Sequence, residues 1–416
     1  MTASDSSAGA PRCRLCGATL TQTFVDLGMS PPCEDFLTAE RLDTMERFYP
    51  LNVRLCTHCL LVQLPDYVDP ADVFVEYAYF SSFSDSWVAH SKRYADAMID
   101  KLALGTNSLV VEAASNDGYL LQHFKAEGIP VVGIEPAVNI AVVAREKGIP
   151  TETFFLGEQT GVEFASRFGR ADLVAANNVY AHVPELIDFT KGLRAIVADD
   201  GWVTIEVQHL LRLIERRQYD TIYHEHFQYY TVLTIARALR SGGLELVDVD
   251  ELPTHGGSIR AYARPVAVAG EPSAAVTRLL AEEAAAGLDT VEGHAGFAAS
   301  IARIRNDVLD FFITAAREGK TVAGYGAPGK GNTLLNHCGV RADLLQYTVD
   351  RNPYKHGRFL PGTHIPVYSP EKLAQTKPDY IFVLPWNLRT ELTEQLSYTR
   401  QWGARLVFPI PQLEIV

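Results

Sequence analysis

The stretch Val110-Val111-Glu112-Ala113-Ala114-Ser115-Asn116-Asp117-Gly118 reads as a strand that ends on an acid, breaks into a loop of small and polar residues, and starts a helix. Around it the pattern repeats. Apolar runs at 109–113, 131–135, 173–176 and 202–207 alternate with helical periods at 118–127, 138–147 and 184–198. Such alternation predicts a parallel sheet with helices on both faces. The runs 244–249 and 259–263 are joined by a Pro/Gly-containing turn with no helix between them, so the sheet is expected to end in an antiparallel hairpin.

Further along, the alternation restarts with strand candidates at 321–325, 345–349, 380–385 and 406–410 and helices at 331–337 and 388–401. Ala- and Glu-rich sequence at 272–288 separates the two α/β regions. Upstream lie two CxxC pairs, Cys13 with Cys16 and Cys56 with Cys59, separated by 39 residues. Two such knuckles can set four thiolates tetrahedrally around Zn²⁺, and a closed four-thiolate site leaves no position for substrate, so the metal would be structural. Cys33 and Cys338 stand apart, and Cys33 is expected to be a buried thiol. The chain is thus read as an α/β protein in three segments: 1–85 with the zinc site, 86–285, and 286–416.

Across 416 residues, 50 acidic against 37 basic side chains give a net charge of −13. A field of that sign argues against nucleic acid and acidic membrane surfaces as partners. No apolar run reaches the length of a membrane span, and residues 1–11 lack a basic stretch followed by an apolar one. A cytoplasmic monomer is the expectation.

Two loops compete for a cofactor. Gly324-Tyr-Gly326-Ala-Pro-Gly329 follows a strand and precedes a helix, with Asp350 closing the next strand 26 residues after Gly324, which fits NAD. Lys330 and Gly331 extend that loop, so it could equally hold a free diphosphate. The Glu112–Gly118 loop has a single glycine and no need to admit a pyrophosphate. Its first-strand acid suits the cationic amino-acid end of S-adenosylmethionine, and Glu135, which with Pro136 closes the second strand, can accept both ribose hydroxyls. The cofactor set is therefore Glu112, Ala114, Ser115, Asn116, Asp117, Gly118, Glu135 and Pro136, together with Asn177 and Asn178 after the strand 173–176.

With the four paired cysteines, the Glu112–Gly118 loop, Tyr223-His-Glu-His226, His255-Gly-Gly-Ser258 and Asp350-Arg-Asn-Pro-Tyr-Lys355 in one order, the sequence resembles the sugar C-methyltransferases. More narrowly, it is similar to the 3-C-methyltransferases of the tetronitrose-pathway type, which act on dTDP-linked 4-keto deoxysugars in antibiotic biosynthesis. The resemblance implies a four-cysteine zinc module, a Rossmann-like class I methyltransferase domain and a second Rossmann-like domain that holds the sugar nucleotide. One departure is Ala114, where the family's loop often has glycine.

Carbon methylation needs a carbon nucleophile, and a hydrogen beside a ketone can be removed because the enolate spreads its charge onto oxygen. Histidine supplies a base near neutral pH without large tuning. The resemblance assigns His226 as the base at sugar C3, Glu225 as an orienting group, Tyr223 as a donor toward the sugar and His182 as a donor to the C4 oxygen. Tyr77 would reach in from the aromatic cluster 77–84, and His224, Lys330, Arg351 and Lys355 would contact the dTDP-sugar. In an extended chain His224 and His226 would share one face and Tyr223 and Glu225 the other; in a turn they could converge. Two rivals predict differently: an NAD(P)-dependent oxidoreductase built on Gly324–Gly329, and a non-catalytic zinc-ribbon adaptor.

Overall fold

The computed structural model describes residues 10–67, 81–83 and 85–416. The chain forms two compact units that interleave in sequence: Met1–Leu20, Cys56–His209 and Phe227–Thr290 make the first, and Thr21–Leu55, Leu210–His226 and Val291–Val416 the second. Compactness therefore divides the molecule differently from the three consecutive segments read along the sequence. The ribbon between the two CxxC knuckles belongs to the second unit, while the knuckles themselves belong to the first.

A seven-stranded sheet organises the first unit, in the order Leu244–Leu252, Ser258–Pro265, Val197–Gln208, Ala171–Asn177, Val110–Ala113, Val131–Ile134, Thr151–Glu152. The last five are parallel, and the pair Leu244–Leu252 and Ser258–Pro265 closes the sheet as an antiparallel hairpin. The expected hairpin is thus present. Both faces are covered. Val111, Ala113, Val132, Ile134, Val174 and Ala176 enter one apolar cluster with helices Leu186–Ile196 and Val232–Ser241. Their neighbours Val110, Val131, Leu173 and Ala175 enter the other with Asp85–Leu102 and Leu121–Ala126. This is the period-two alternation of a strand buried on both sides. The helices Glu158–Phe168 and Val232–Ser241 were not anticipated from the periodicity.

In the second unit a six-stranded sheet runs Val367–Tyr368, Thr348–Val349, Val322–Tyr325, Tyr380–Val383, Arg405–Phe408, Glu414–Ile415, parallel except for the last strand. Phe311 and Phe312 of helix Phe297–Arg317 pack on Phe382 of its central strand. An antiparallel ribbon of Gln22–Ser30 and Tyr49–Leu55 completes the unit. The two edge strands Val367–Tyr368 and Glu414–Ile415, each two residues long, left no readable period in the sequence. Among the described residues, no helix is long and apolar enough to cross a membrane.

Candidate active site and metal centre

Each CxxC sits on a tight turn. Gly17 N–H donates to the Cys13 carbonyl and Leu60 N–H to the Cys56 carbonyl, with Gly17 and Leu60 both at positive φ. The four sulfurs lie within 4.8 Å of one another, with Cys13–Cys59 at 3.4 Å and Cys16–Cys56 at 3.5 Å. A tetrahedral ion with Zn–S bonds near 2.3 Å needs sulfurs about 3.8 Å apart, so the donor set fits one Zn²⁺. Gln63 orients it, donating from Nε2 to Cys13 Sγ at 3.1 Å while its Oε1 accepts the Arg14 N–H.

The cofactor loop leaves strand Val110–Ala113 with Ala114 at φ 56°, Asn116 at φ 48° and Gly118 at φ 78°. Left-handed backbone costs on the order of 1–2 kcal/mol at Ala114 and less at Asn116, because asparagine enters that region readily. Glu135, at the end of the neighbouring strand, accepts the Asn116 N–H at 2.9 Å and the Ala137 N–H at 2.8 Å. Glu112 is fully buried, and neither carboxylate oxygen has a hydrogen-bond partner at ordinary distance. Burial holds its pKa well above the ordinary carboxyl range; Tyr119 opposes this, and the charges of Glu135 and Asp117 add to it. Asp117 Oδ1, Ser115 Oγ, Asn177 Oδ1 and Asn178 Nδ2 are also buried without partners. Unmet polar atoms converging at the carboxyl ends of the strands Val110–Ala113 and Ala171–Asn177 fit a polar, cationic ligand.

Three further residues hold this loop. Lys147 Nζ pairs with Asp117 Oδ2 at 2.7 Å, and Ser82 Oγ donates to the same oxygen. Ser81 N–H donates to Asn116 Oδ1 at 3.0 Å. The serine cluster was visible in the sequence, but its destination was not. His182 lies half-buried in a single 3-10 turn, Tyr180–His182, after the strand Ala171–Asn177. Tyr77 lies outside the described residues.

In the second unit the segment Tyr223-His-Glu-His226 is a turn, closed by the His226 N–H donating to the Tyr223 carbonyl at 2.9 Å. The turn resolves the choice left open by the sequence: it brings Tyr223 and His226 together. Tyr223 Oη is 2.8 Å from His226 Nε2, and His226 Nδ1 is 2.7 Å from the Thr221 carbonyl oxygen. A carbonyl can only accept, so Nδ1 carries the proton and Nε2 presents its lone pair to the Tyr223 hydroxyl. Glu225 points into the interior with the Cys33 thiol 4.0 Å away. Burial raises its pKa to about 8, with Glu34 adding to the rise and Lys355 opposing it, so it is a neutral donor near pH 7. His224 is buried, with Nε2 3.3 Å from the Pro50 carbonyl oxygen and its ring edge-on to Tyr49. Burial lowers its pKa.

The dinucleotide fingerprint has protein against its glycines. A Cβ on Gly326 would lie 2.6 Å from Pro385 Cδ, and one on Gly329 would lie 2.8 Å from both Cys33 Sγ and Glu34 Oε1. Asp350, the acid that would accept ribose hydroxyls, accepts the backbone N–H groups of Ala327 and Asn352 instead. Of the three expected substrate cations, Lys330 donates to Asn387 Oδ1 and lies over the Trp386 ring. Lys355 donates to the Ala327 carbonyl and pairs with Glu34 at 3.4 Å, while Arg351 is exposed.

Comparison with known proteins places this geometry in a family. The chain is 35% identical over 404 residues to C-methyltransferase NovU from Streptomyces niveus, covering 97% of this chain and 96% of that one. The chain belongs to the C-methyltransferase family. Family models for a zinc binding domain, a methyltransferase domain and a C-methyltransferase C-terminal domain match residues 13–74, 87–249 and 253–411. A solved S-adenosylmethionine-dependent methyltransferase from Clostridium acetobutylicum is 11% identical with a TM-score of 0.35, over 43% of this chain and 92% of that one. This C-methyltransferase uses S-adenosylmethionine, which the Glu112–Gly118 loop and Glu135 fit, and carries structural Zn²⁺ on Cys13, Cys16, Cys56 and Cys59.

Proposed function

We propose that this C-methyltransferase methylates C3 of a dTDP-linked 4-keto deoxysugar through an enolate, as a cytoplasmic enzyme of antibiotic-sugar biosynthesis. The reading rests on one observation above all. His226 is fixed in a single tautomer by the Thr221 carbonyl, with its basic nitrogen against a phenol. Bound S-adenosylmethionine supplies an activated methyl group, so the protein's task is to make a carbon nucleophile.

With the Tyr223 hydroxyl hydrogen turned from Nε2 to the C4 oxygen of bound substrate, the His226 lone pair is free to take the C3 proton, and the electron pair left behind moves into the enolate with its charge on that oxygen. Once protonated, Nε2 can donate to Tyr223 Oη while the phenol hydrogen stays on the enolate oxygen. The neutral Glu225 keeps a further negative charge away from the forming anion. Glu112, Ser115, Asn116, Asp117, Glu135, Asn177 and Asn178 hold the cofactor. Arg351 and Lys355 are the proposed diphosphate contacts, the latter on leaving Glu34.

The test is deuterium exchange at C3 in D₂O with S-adenosylhomocysteine in place of the methyl donor. His226→Asn is expected to slow exchange by roughly 10²- to 10⁴-fold, the usual worth of a positioned general base. Exchange at the wild-type rate would remove His226 from that role.

A further inference from the structure

The turn carrying Tyr223 and His226 follows a single 3-10 turn, Tyr219–Thr221, and neither has a strand ladder to hold it. Side chains of the C-terminal α/β fold do so instead. Trp386 Nε1–H donates to Asp220 Oδ2 at 2.6 Å, and Asp220 is fully buried. The Thr333 hydroxyl donates to the Ile222 carbonyl at 3.1 Å, and Tyr219 Oη lies 3.6 Å from Cys338 Sγ. Thr333 and Cys338 belong to helix Gly329–Cys338, and Trp386 begins the turn Trp386–Leu388 after strand Tyr380–Val383.

These anchors share one place. Strands Val322–Tyr325 and Tyr380–Val383 are the central pair of the six-stranded sheet, where the strand order changes direction, and their carboxyl ends are where a dinucleotide fold binds its coenzyme. Here that crevice is taken by Pro385 against Gly326, by Cys33 and Glu34 against Gly329, and by the Asp220–Trp386 pair with Lys330 over the indole at 4.9 Å. The fold has the shape of a coenzyme domain and uses its binding edge to grip its own chain.

We propose that Asp220, Trp386 and Thr333 are positioning residues for the reaction: they fix residues 219–222 so that the Thr221 carbonyl holds the Nδ1 proton of His226 and leaves Nε2 as the base. The proposal rests on His226 being that base. A loosened turn would let the imidazole adopt the other tautomer, in which Nε2 carries the proton and cannot accept one.

The full-length zinc-bound protein, labelled with ¹⁵N-histidine, would be examined by NMR, with the His226 signals assigned by their loss in His226→Asn. Wild type should show the Nδ1–H tautomer. Trp386→Phe, which keeps an aromatic ring and loses the donor, and Thr333→Val should each give mixed tautomers, and Thr333→Ser should restore the wild-type pattern. S-adenosylhomocysteine affinity within about twofold of wild type would show that the fold is intact. C3 exchange should fall roughly 10- to 100-fold in Trp386→Phe and Thr333→Val at unchanged KM for the sugar nucleotide. An unchanged His226 tautomer in both variants would overturn the proposal. Loss of tautomer control together with wild-type exchange in His226→Asn would instead leave the positioning intact and remove His226 as the base.

Discussion

Ala114 shows how one methyl group is accommodated at a cofactor loop. Its φ of 56° explains why glycine suits this position, since an L-residue there costs about 1–2 kcal/mol that glycine does not. Ala114→Gly also enlarges the unfolded ensemble, which takes back roughly 0.5–1 kcal/mol. The expected result in urea unfolding is a variant equal to wild type or up to about 1 kcal/mol more stable; clear destabilisation would mean that the methyl group makes a contact worth more than the strain. Glu225 carries a prediction in pH. Its folded pKa of about 8 lies above the ordinary 4.5, so the folded state holds the proton more tightly. The stabilisation is complete below about pH 4.5 and is lost as the pH climbs through about 8. Glu225→Gln cannot ionise, so relative to wild type it should gain a few kcal/mol of stability between about pH 5 and about pH 9. Parallel stability curves for the two proteins would show that Glu225 does not titrate in this range.

Secondary elements matter here mainly at their ends. The helix Val232–Ser241 starts under a buried carboxylate, Glu283, which accepts the N–H groups of Val232 and Leu233 and bonds to His209 at 2.7 Å. Both CxxC knuckles are likewise turns whose first cysteine carbonyl accepts the N–H group four residues on, so metal and backbone lock the same loops. Replacing Zn²⁺ with Co²⁺ should therefore give the spectrum of a tetrahedral thiolate site, with methyl transfer within about twofold of the zinc enzyme, because a closed four-thiolate site stabilises and does not catalyse. Chelation should remove one equivalent of metal and lower the unfolding midpoint. Activity that tracks the identity of the metal would contradict a purely structural ion.

At the scale of the whole molecule, two glycine-containing loops follow two first strands, and the buried polar atoms without partners lie on the first of them, at Glu112, Ser115 and Asp117. Calorimetric titration should show S-adenosylhomocysteine binding, and at a hundredfold excess over Kd the ligand should add about 2.7 kcal/mol of stability. NAD⁺ should give no heat, since Pro385, Cys33 and Glu34 pack against the fingerprint glycines and Asp350 is committed to backbone N–H groups. Heat from NAD⁺ alone would move the cofactor site to the Gly324–Gly329 loop.

Much of this was legible in the sequence, because its signals are local. Periods of 2 and 3.6 marked the strands and main helices of both α/β regions, and the CxxC spacing marked the metal. The pattern missed short or mostly buried pieces such as Thr151–Glu152 and Val367–Tyr368, where two residues carry no period. Tertiary structure alone decided the rest. Tyr223 and His226 converge in a turn closed by the His226 N–H on the Tyr223 carbonyl, and the residues just before it, Asp220 and Ile222, bond to Trp386 and Thr333 more than 100 positions away. Whether a GxGxxG loop binds a coenzyme depends on what packs on its glycines, here Cys33 and Glu34 some 300 residues upstream. Composition and spacing record which groups a chain owns and how they recur; which of them meet is fixed by packing between distant segments, which brings Tyr223 to His226 and Cys33 and Glu34 to Gly329.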